Sequence, residues 1–481
     1  MNNIVKTCRT LAPGVLAWIV GLGICVNASA QTSDPALNAL VKKGFLTEQE
    51  AKTALAEAQT NLVNASEEKL PSASKWRIND AIKSIGLYGD VRFRYEYRGA
   101  DNAPGSGASG DTYYRERFRY AVRLGLRGDL FDDFYYGLRV ETSSNPRSPW
   151  VTFGDDTNPT PSAKNSDTIG IGQAYLGWRA SDWLELTVGK MPMPLYVTPL
   201  IWDSDINPEG AAEKFKYTVG NVDLFATFGQ FMYQDSNPDN SIPSSDTFLL
   251  AWQLGASVKL SKDATLKIAP VLYNYTGHGQ NNGLNQPFSG QGLNGLNPNT
   301  PGYNQNGIND LLVFETPVEF NFKLGEHKAR VFGDFAYNFS GNSRAQAAVG
   351  ATAPDGNLPF AVTGQNKAYQ VGVGYGNLGL VYGQTSKRNT WEARVYWQHV
   401  EQYAADPNLL DSDFFEGRAN LQGVYAAFAY SITDCIIGTV RYGYAQTINK
   451  GLGTGGSNLD LPILNPINNY NLVQLDLTWR F

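Results

Sequence analysis

A chain of 481 residues with a formal net charge of −6 gives no electrostatic reason to expect nucleic acid as a partner. Aromatic residues make up 12% and glycines number 49, yet mean hydropathy is −0.31, and beyond the first thirty residues no apolar run is long enough for a membrane helix. A membrane-spanning barrel is compatible with such values, because only alternate strand residues face lipid.

In chain order, Lys6 and Arg9 precede an apolar run from Leu11 to Val26, and the small residues Ala28-Ser29-Ala30 follow. Residues 1–30 read as a secretory signal peptide, since the run is short for an anchor and lacks a basic stop-transfer flank. A lipoprotein signal fits less well, because Ile24 stands where a small residue would precede a lipidated Cys25. With Cys8 and Cys25 removed in the leader, Cys435 remains alone and no internal disulfide is expected.

Residues 31–70 read as a periplasmic helical or coiled-coil segment, with Leu37, Leu40, Val41, Ala51, Leu55, Ala58 and Leu62 near helical spacing. The break at Lys43-Gly44-Phe45-Leu46-Thr47 looks like a helix stop followed by a new N-cap at Thr47, with Glu50 completing a capping box. A flexible stalk with transient helix is the alternative, because so short a helix is marginal alone.

Residues 71–84 read as a linker, and from residue 85 to 481 the apolar period is two. The fold class is therefore all-β: a transmembrane antiparallel barrel of about 16 strands, an even number as in bacterial outer-membrane barrels. The strands are expected near 85–99, 112–128, 133–142, 169–180, 183–190, 212–219, 222–232, 247–260, 264–276, 309–324, 327–339, 368–384, 390–402, 419–432, 435–446 and 470–481. Short connections such as Gly220-Asn221 alternate with long ones such as 143–168, 191–211, 277–308, 340–367 and 447–469. That alternation matches short periplasmic turns and long external loops. Pro270 and Pro317 fit poorly inside their strands, since proline removes a ladder hydrogen bond.

The first three strands segregate charge. Arg92, Arg94, Arg98, Arg115, Arg117, Arg119, Arg123, Arg127 and Arg139 share one face, opposite apolar residues such as Phe93, Phe118 and Leu138. A mid-plane arginine facing lipid costs about 2–4 kcal/mol, so this face is expected to line a water-filled pore. There it either shapes the permeation field or forms a structural ladder with Asp90, Glu96 and Glu141. Glu116 lies on the apolar face and needs a place at the outer interface.

The run Trp202 to Gly210 carries Asp203, Asp205 and Glu209 and reads as an acidic constriction loop facing the arginines across the pore; an ordinary external loop is the alternative. It is a poor calcium loop, because Pro208 occupies the sharp-turn glycine position and the bidentate glutamate is missing. The alternation of Val473, Leu475, Leu477, Trp479 and Phe481 gives a lipid-facing last strand, and Trp479 and Phe481 resemble a C-terminal signal read by the outer-membrane assembly machinery. His278, His327 and His399 show no metal-ligand spacing or nucleophile partner, so no catalytic residue, metal or cofactor is expected.

Lys43 to Thr47 with Glu50-Ala51, Tyr88-Gly89-Asp90-Val91-Arg92 with Arg94, Trp202 to Gly210, and Asp411-Ser412-Asp413-Phe414 together resemble the putative-porin family of bacterial outer-membrane porins. The glycine-rich stretch Gly374 to Gly383 is longer than that pattern. The resemblance implies passive diffusion of small hydrophilic solutes and ions. The further expectations are an outer-membrane location in a Gram-negative bacterium, contact with lipid and lipopolysaccharide, and a homo-trimer. A barrel adhesin or anchor, or a barrel enzyme, are the competing classes.

Overall fold

The structure is a computed structural model and describes residues 81–102, 112–143, 148–154, 167–235, 246–277, 311–342, 364–449, 454 and 467–481. The expected signal peptide, the helical segment and the linker up to residue 80 lie outside these residues, as does His278.

The strands are β1 (Gly86–Asn102), β2 (Thr112–Asp129), β3 (Phe134–Ser143), β4 (Val151–Thr152), β5 (Thr168–Ser181), β6 (Leu184–Lys190), β7 (Glu209–Val219), β8 (Val222–Gln234), β9 (Thr247–Ser261), β10 (Ala264–Ile268), β11 (Val271–Gly277), β12 (Leu312–Glu315), β13 (Val318–Leu324), β14 (His327–Asn338), β15 (Lys367–Gly376), β16 (Trp391–Val400), β17 (Leu421–Ser431), β18 (Ile436–Thr447) and β19 (Ile467–Arg480). All pairings are antiparallel. β19 returns to pair with β1, from Asp90 opposite Arg480 to Asn102 opposite Ile467, so the sheet closes and leaves no open edge. β10 with β11, and β12 with β13, each form one interrupted stave, and β4 is a two-residue addition to β2; the wall thus has 16 staves.

The two interruptions are one feature. Pro270 and Pro317 have no N–H to give the ladder, and they stand in neighbouring staves at the same level. There Ala269 N donates to Pro317 O at 3.1 Å, and Thr316 N turns to Phe335 O at 2.8 Å.

One expected strand is too long. The stretch 368–384 was expected to be continuous, but β15 stops at Gly376, whose φ of +117° favours glycine, and where a Cβ would meet the Trp391 carbonyl oxygen. Residues 377–390 then turn inward, a departure that the period-two pattern did not reveal.

The faces of the wall follow the pleat. On β1 and β2 Phe93 and Phe118 point outward, with 49% and 61% of their surface open, while Arg94, Arg98 and Arg117 are buried on the other face. Glu116 points outward opposite Tyr97 and next to Tyr114, among the aromatic residues at the outer end of β2.

Candidate functional site

The β1–β2 register sets Glu96 opposite Arg117 and Arg94 opposite Arg119, on the inward face. Two arginines facing each other repel unless carboxylates intervene, and here they do. Glu96 is fully buried and accepts from Arg117 Nε at 2.7 Å, Arg98 at 3.2 Å and Gln474 at 2.8 Å, with Arg119 at 3.5 Å. Arg94 forks onto Asp476 at 2.7 and 2.9 Å and reaches Asp413 at 2.8 Å. Arg441 shares Asp476. Further along, Arg92 pairs with Asp90 at 2.6 Å, Arg123 with Asp205 at 2.5 Å, and Arg139 with Glu141 at 2.9 Å. Arg127 lies over the Tyr88 ring at 4.9 Å, and Arg115 is half-buried on the same inward face, opposite Arg98. Breaking one side of a buried pair costs about 3–5 kcal/mol, so such a network fixes geometry.

Two of these carboxylates, Asp205 and Asp413, come from segments folded into the barrel. Residues 191–208 leave β6, cross the interior and return, with Met191 N donating to Pro208 O at 2.9 Å at the neck. The wall holds the segment at several points. The Gln253 side chain accepts from Tyr196 N at 2.7 Å and donates to its carbonyl at 2.8 Å, Thr198 donates to Asp334, and Asn207 accepts from Gln173 at 2.8 Å. Leu195, Leu200, Ile201 and Trp202 are buried, which explains why an external connection turns inward: left outside, these apolar side chains would face water.

Residues 401–420 enter from the same mouth and meet the first segment. Asp203 N donates to Leu409 O at 2.7 Å, and Ser412 donates to the Asp203 carboxylate. Leu409, Leu410, Phe414 and Phe415 share one apolar core with Leu200 and Trp202. Burial and the neighbouring carboxylates of Asp203 and Asp413 push the Asp411 carboxyl well above its usual range. At Asp413 burial acts in the same direction, but Arg94 and Arg441 overcome it and hold that carboxyl below its usual range. From the opposite mouth residues 377–390 rise into the interior, where Val381 N donates to Glu392 at 2.9 Å and Val381 O accepts from Arg441 at 3.4 Å. Arg394 is sandwiched between Phe332 at 4.2 Å and Tyr382 at 4.6 Å.

Between these segments and the arginine network remains a cavity of about 570 Å³. Its lining includes Arg92, Arg94, Arg123, Arg441 and Arg480 against Asp90, Asp205, Asp413 and Asp476. Among the described residues Arg480 alone of these arginines has no carboxylate partner. Past Leu195 and Tyr196 lies a second recess of about 670 Å³, bordered by Lys214, Lys216 and Lys267, the last 3.4 Å from the Tyr196 ring centre.

The candidate loop residues do not stay together. Asp203 is buried between the two inward segments and Asp205 sits directly on Arg123, so the loop docks on the arginine wall instead of facing it across a gap. Glu209 is no loop residue: it opens β7 and pairs with Lys190 at 2.8 Å on the outward face, because the pleat of β7 turns odd-numbered side chains outward. His399 is outward as well, stacked on Tyr369 at 4.6 Å, and His327 opens β14 beside Trp391. Trp479 and Phe481 pack on each other at 5.1 Å, and Phe481 N and O bond with Gly89 at 3.2 and 3.0 Å. Sequence reasoning missed the inward paths of 401–420 and 377–390. The apolar pairs Leu409-Leu410 and Phe414-Phe415 inside a polar connection were the available signal.

No curated protein matches the chain. Among solved structures it is similar to OmpT, an outer membrane protein of Vibrio cholerae, at 11% identity and a TM-score of 0.41, covering 84% of this chain and 100% of that one. It is similar also to an anion-selective porin from Comamonas acidovorans, at 11% identity and a TM-score of 0.42, covering 83% and 99%. The family described as "Putative porin" matches residues 103–324 and 311–481, nearly all of the barrel. The chain therefore belongs to the putative-porin family and is a β-barrel of the Gram-negative outer membrane.

Proposed function

We propose that the barrel is a passive diffusion channel for small hydrophilic solutes and ions, narrowed where segments 191–208, 401–420 and 377–390 meet. The observation that carries this reading is the cavity of about 570 Å³ lined by charged groups in the middle of a closed barrel. Burying so many ionised groups in a solid core would be costly, whereas a water-filled passage keeps them partly hydrated. The arginine network serves mainly as a frame that docks the inward segments, since most of its members are matched by carboxylates; Arg480 supplies residual positive charge. The function is non-enzymatic. Trp479 and Phe481 act in recognition by the assembly machinery, and the outward apolar face meets lipid and lipopolysaccharide.

Purified protein in a planar bilayer should give discrete conductance steps, and liposomes carrying it should swell in small sugars. A folded, heat-modifiable barrel giving neither would overturn the channel reading.

A further inference from the structure

The second recess, of about 670 Å³, lies beyond the inward segment 191–208, toward the end of the barrel that carries the short turns. Residues of the turns between β2 and β3 and between β5 and β6 border it, and Leu195 and Tyr196 line both it and the central cavity. A solute that leaves the central cavity past Tyr196 enters this recess.

Its charge is one-sided. Odd-numbered side chains of β7 point outward, so Lys214 and Lys216 point in, and Lys267 of β10 joins them. Among the described residues none of the three has a carboxylate bonded to it. The nearest carboxylates are engaged elsewhere. Glu185 stands opposite Lys214 across the β6–β7 pair but accepts from the Tyr135 hydroxyl at 2.8 Å. Glu319 stands opposite Lys267 across β10 and β13 but lies 3.5 Å from Arg330. Asp133 and Asp182 are exposed in turns at the rim.

The Lys267 ammonium lies between two rings, 3.4 Å from the centre of Tyr196 and 5.3 Å from that of Phe225. Both rings are held from behind. The Gln253 side chain bonds Tyr196 N and O at 2.7 and 2.8 Å, and Phe225 lies over Gly255, where a Cβ would collide with the ring. Aromatic faces stabilise a cation without cancelling its charge. A fixed positive charge is thereby kept beside aromatic surface.

An inorganic anion uses only the charge, whereas an anion with an apolar body gains from the rings as well. We infer that this recess is a binding site for small organic carboxylates with an aromatic or other apolar body. The carboxylate is drawn to Lys267 and Lys214, and the body rests against Tyr196 and Phe225. Such a site, open at the rim, holds a solute weakly enough to release it, as conduction requires. The inference rests on the channel reading and names the solutes that the channel favours.

To test it, single-channel current in dilute KCl is recorded while sodium benzoate is added, with acetate and the uncharged benzamide as comparisons. Benzoate should interrupt the current in a concentration-dependent way, and the other two should do so several-fold less. Lys214→Gln combined with Lys267→Gln should raise the benzoate concentration needed several-fold. Lys262→Gln, in the turn between β9 and β10 and outside the recess, should leave it unchanged. Should the double variant lose heat-modifiable mobility, Lys216→Glu, at an exposed side chain, tests the same recess and should weaken the interruption. A conducting wild type indifferent to benzoate, or equally affected by benzamide, overturns the site and leaves the channel reading standing, as does a double variant that responds like the wild type. A folded wild type without any conductance overturns both.

Discussion

Asp203 and Ser412, 209 residues apart, join the two segments that narrow the barrel: the serine hydroxyl donates to the carboxylate at 2.7 Å and the serine N–H at 3.1 Å. Asp203→Ala removes a buried ionised acceptor worth about 2 kcal/mol, or roughly a thirtyfold rise in the undocked population. The expected outcome is a larger, noisier single-channel conductance and new protease cleavage within 401–420, with unchanged heat-modifiable mobility. Unaltered current noise would show that apolar packing alone holds the segments.

Replacing Arg480 with Gln should move the reversal potential in a salt gradient toward cations, because that guanidinium lacks a matching carboxylate. The shift should grow below 0.1 M salt, where the screening length exceeds about 10 Å. Arg480→Lys should restore the wild-type value. By contrast Arg139→Gln breaks a matched pair with Glu141 and should shift the potential less per charge than Arg480→Gln.

The raised Asp411 carboxyl makes the inner junction sensitive to rising pH. Because its folded pKa lies above the unfolded one, the folded state holds the extra proton, and docking loses stability as pH rises from the ordinary carboxylate range through the raised value. Conductance fluctuations should therefore increase as pH rises through that window, and Asp411→Asn should remove the dependence. A flat pH response in the unmodified protein would rule this out.

Deleting Phe481 removes both backbone bonds to Gly89 and the ring that packs over that glycine. Assembly in the outer membrane should fall several-fold, read as the heat-modifiable fraction. Gly89→Val should act similarly, since its side chain would collide with the Phe481 ring.

The staves and inward arginines were legible because the pleat writes them as a period of two: Phe118 and Arg119 alternate in sequence as they do in space. The breaks at Pro270 and Pro317 were visible as misfits, since a missing N–H is a local property. The pairing of Arg94 with Asp413 and of Arg123 with Asp205 was not legible, because the carboxylates come from connections whose path depends on tertiary packing. The same cause hid Glu209, where a loop boundary three residues off moves a side chain from the interior to the outer surface.

The seam between β1 and β19 has a consequence for the order of events in biogenesis. Asp90 and Arg480 are neighbours across the wall, yet nearly the whole barrel sequence separates them, so closure waits for β19 to become available. Until then β1 has no partner on one side, and its alternating aromatic residues are exposed to any strand that meets them. The seam of β1 must be kept apart from the strands of sibling chains until β19 reaches it.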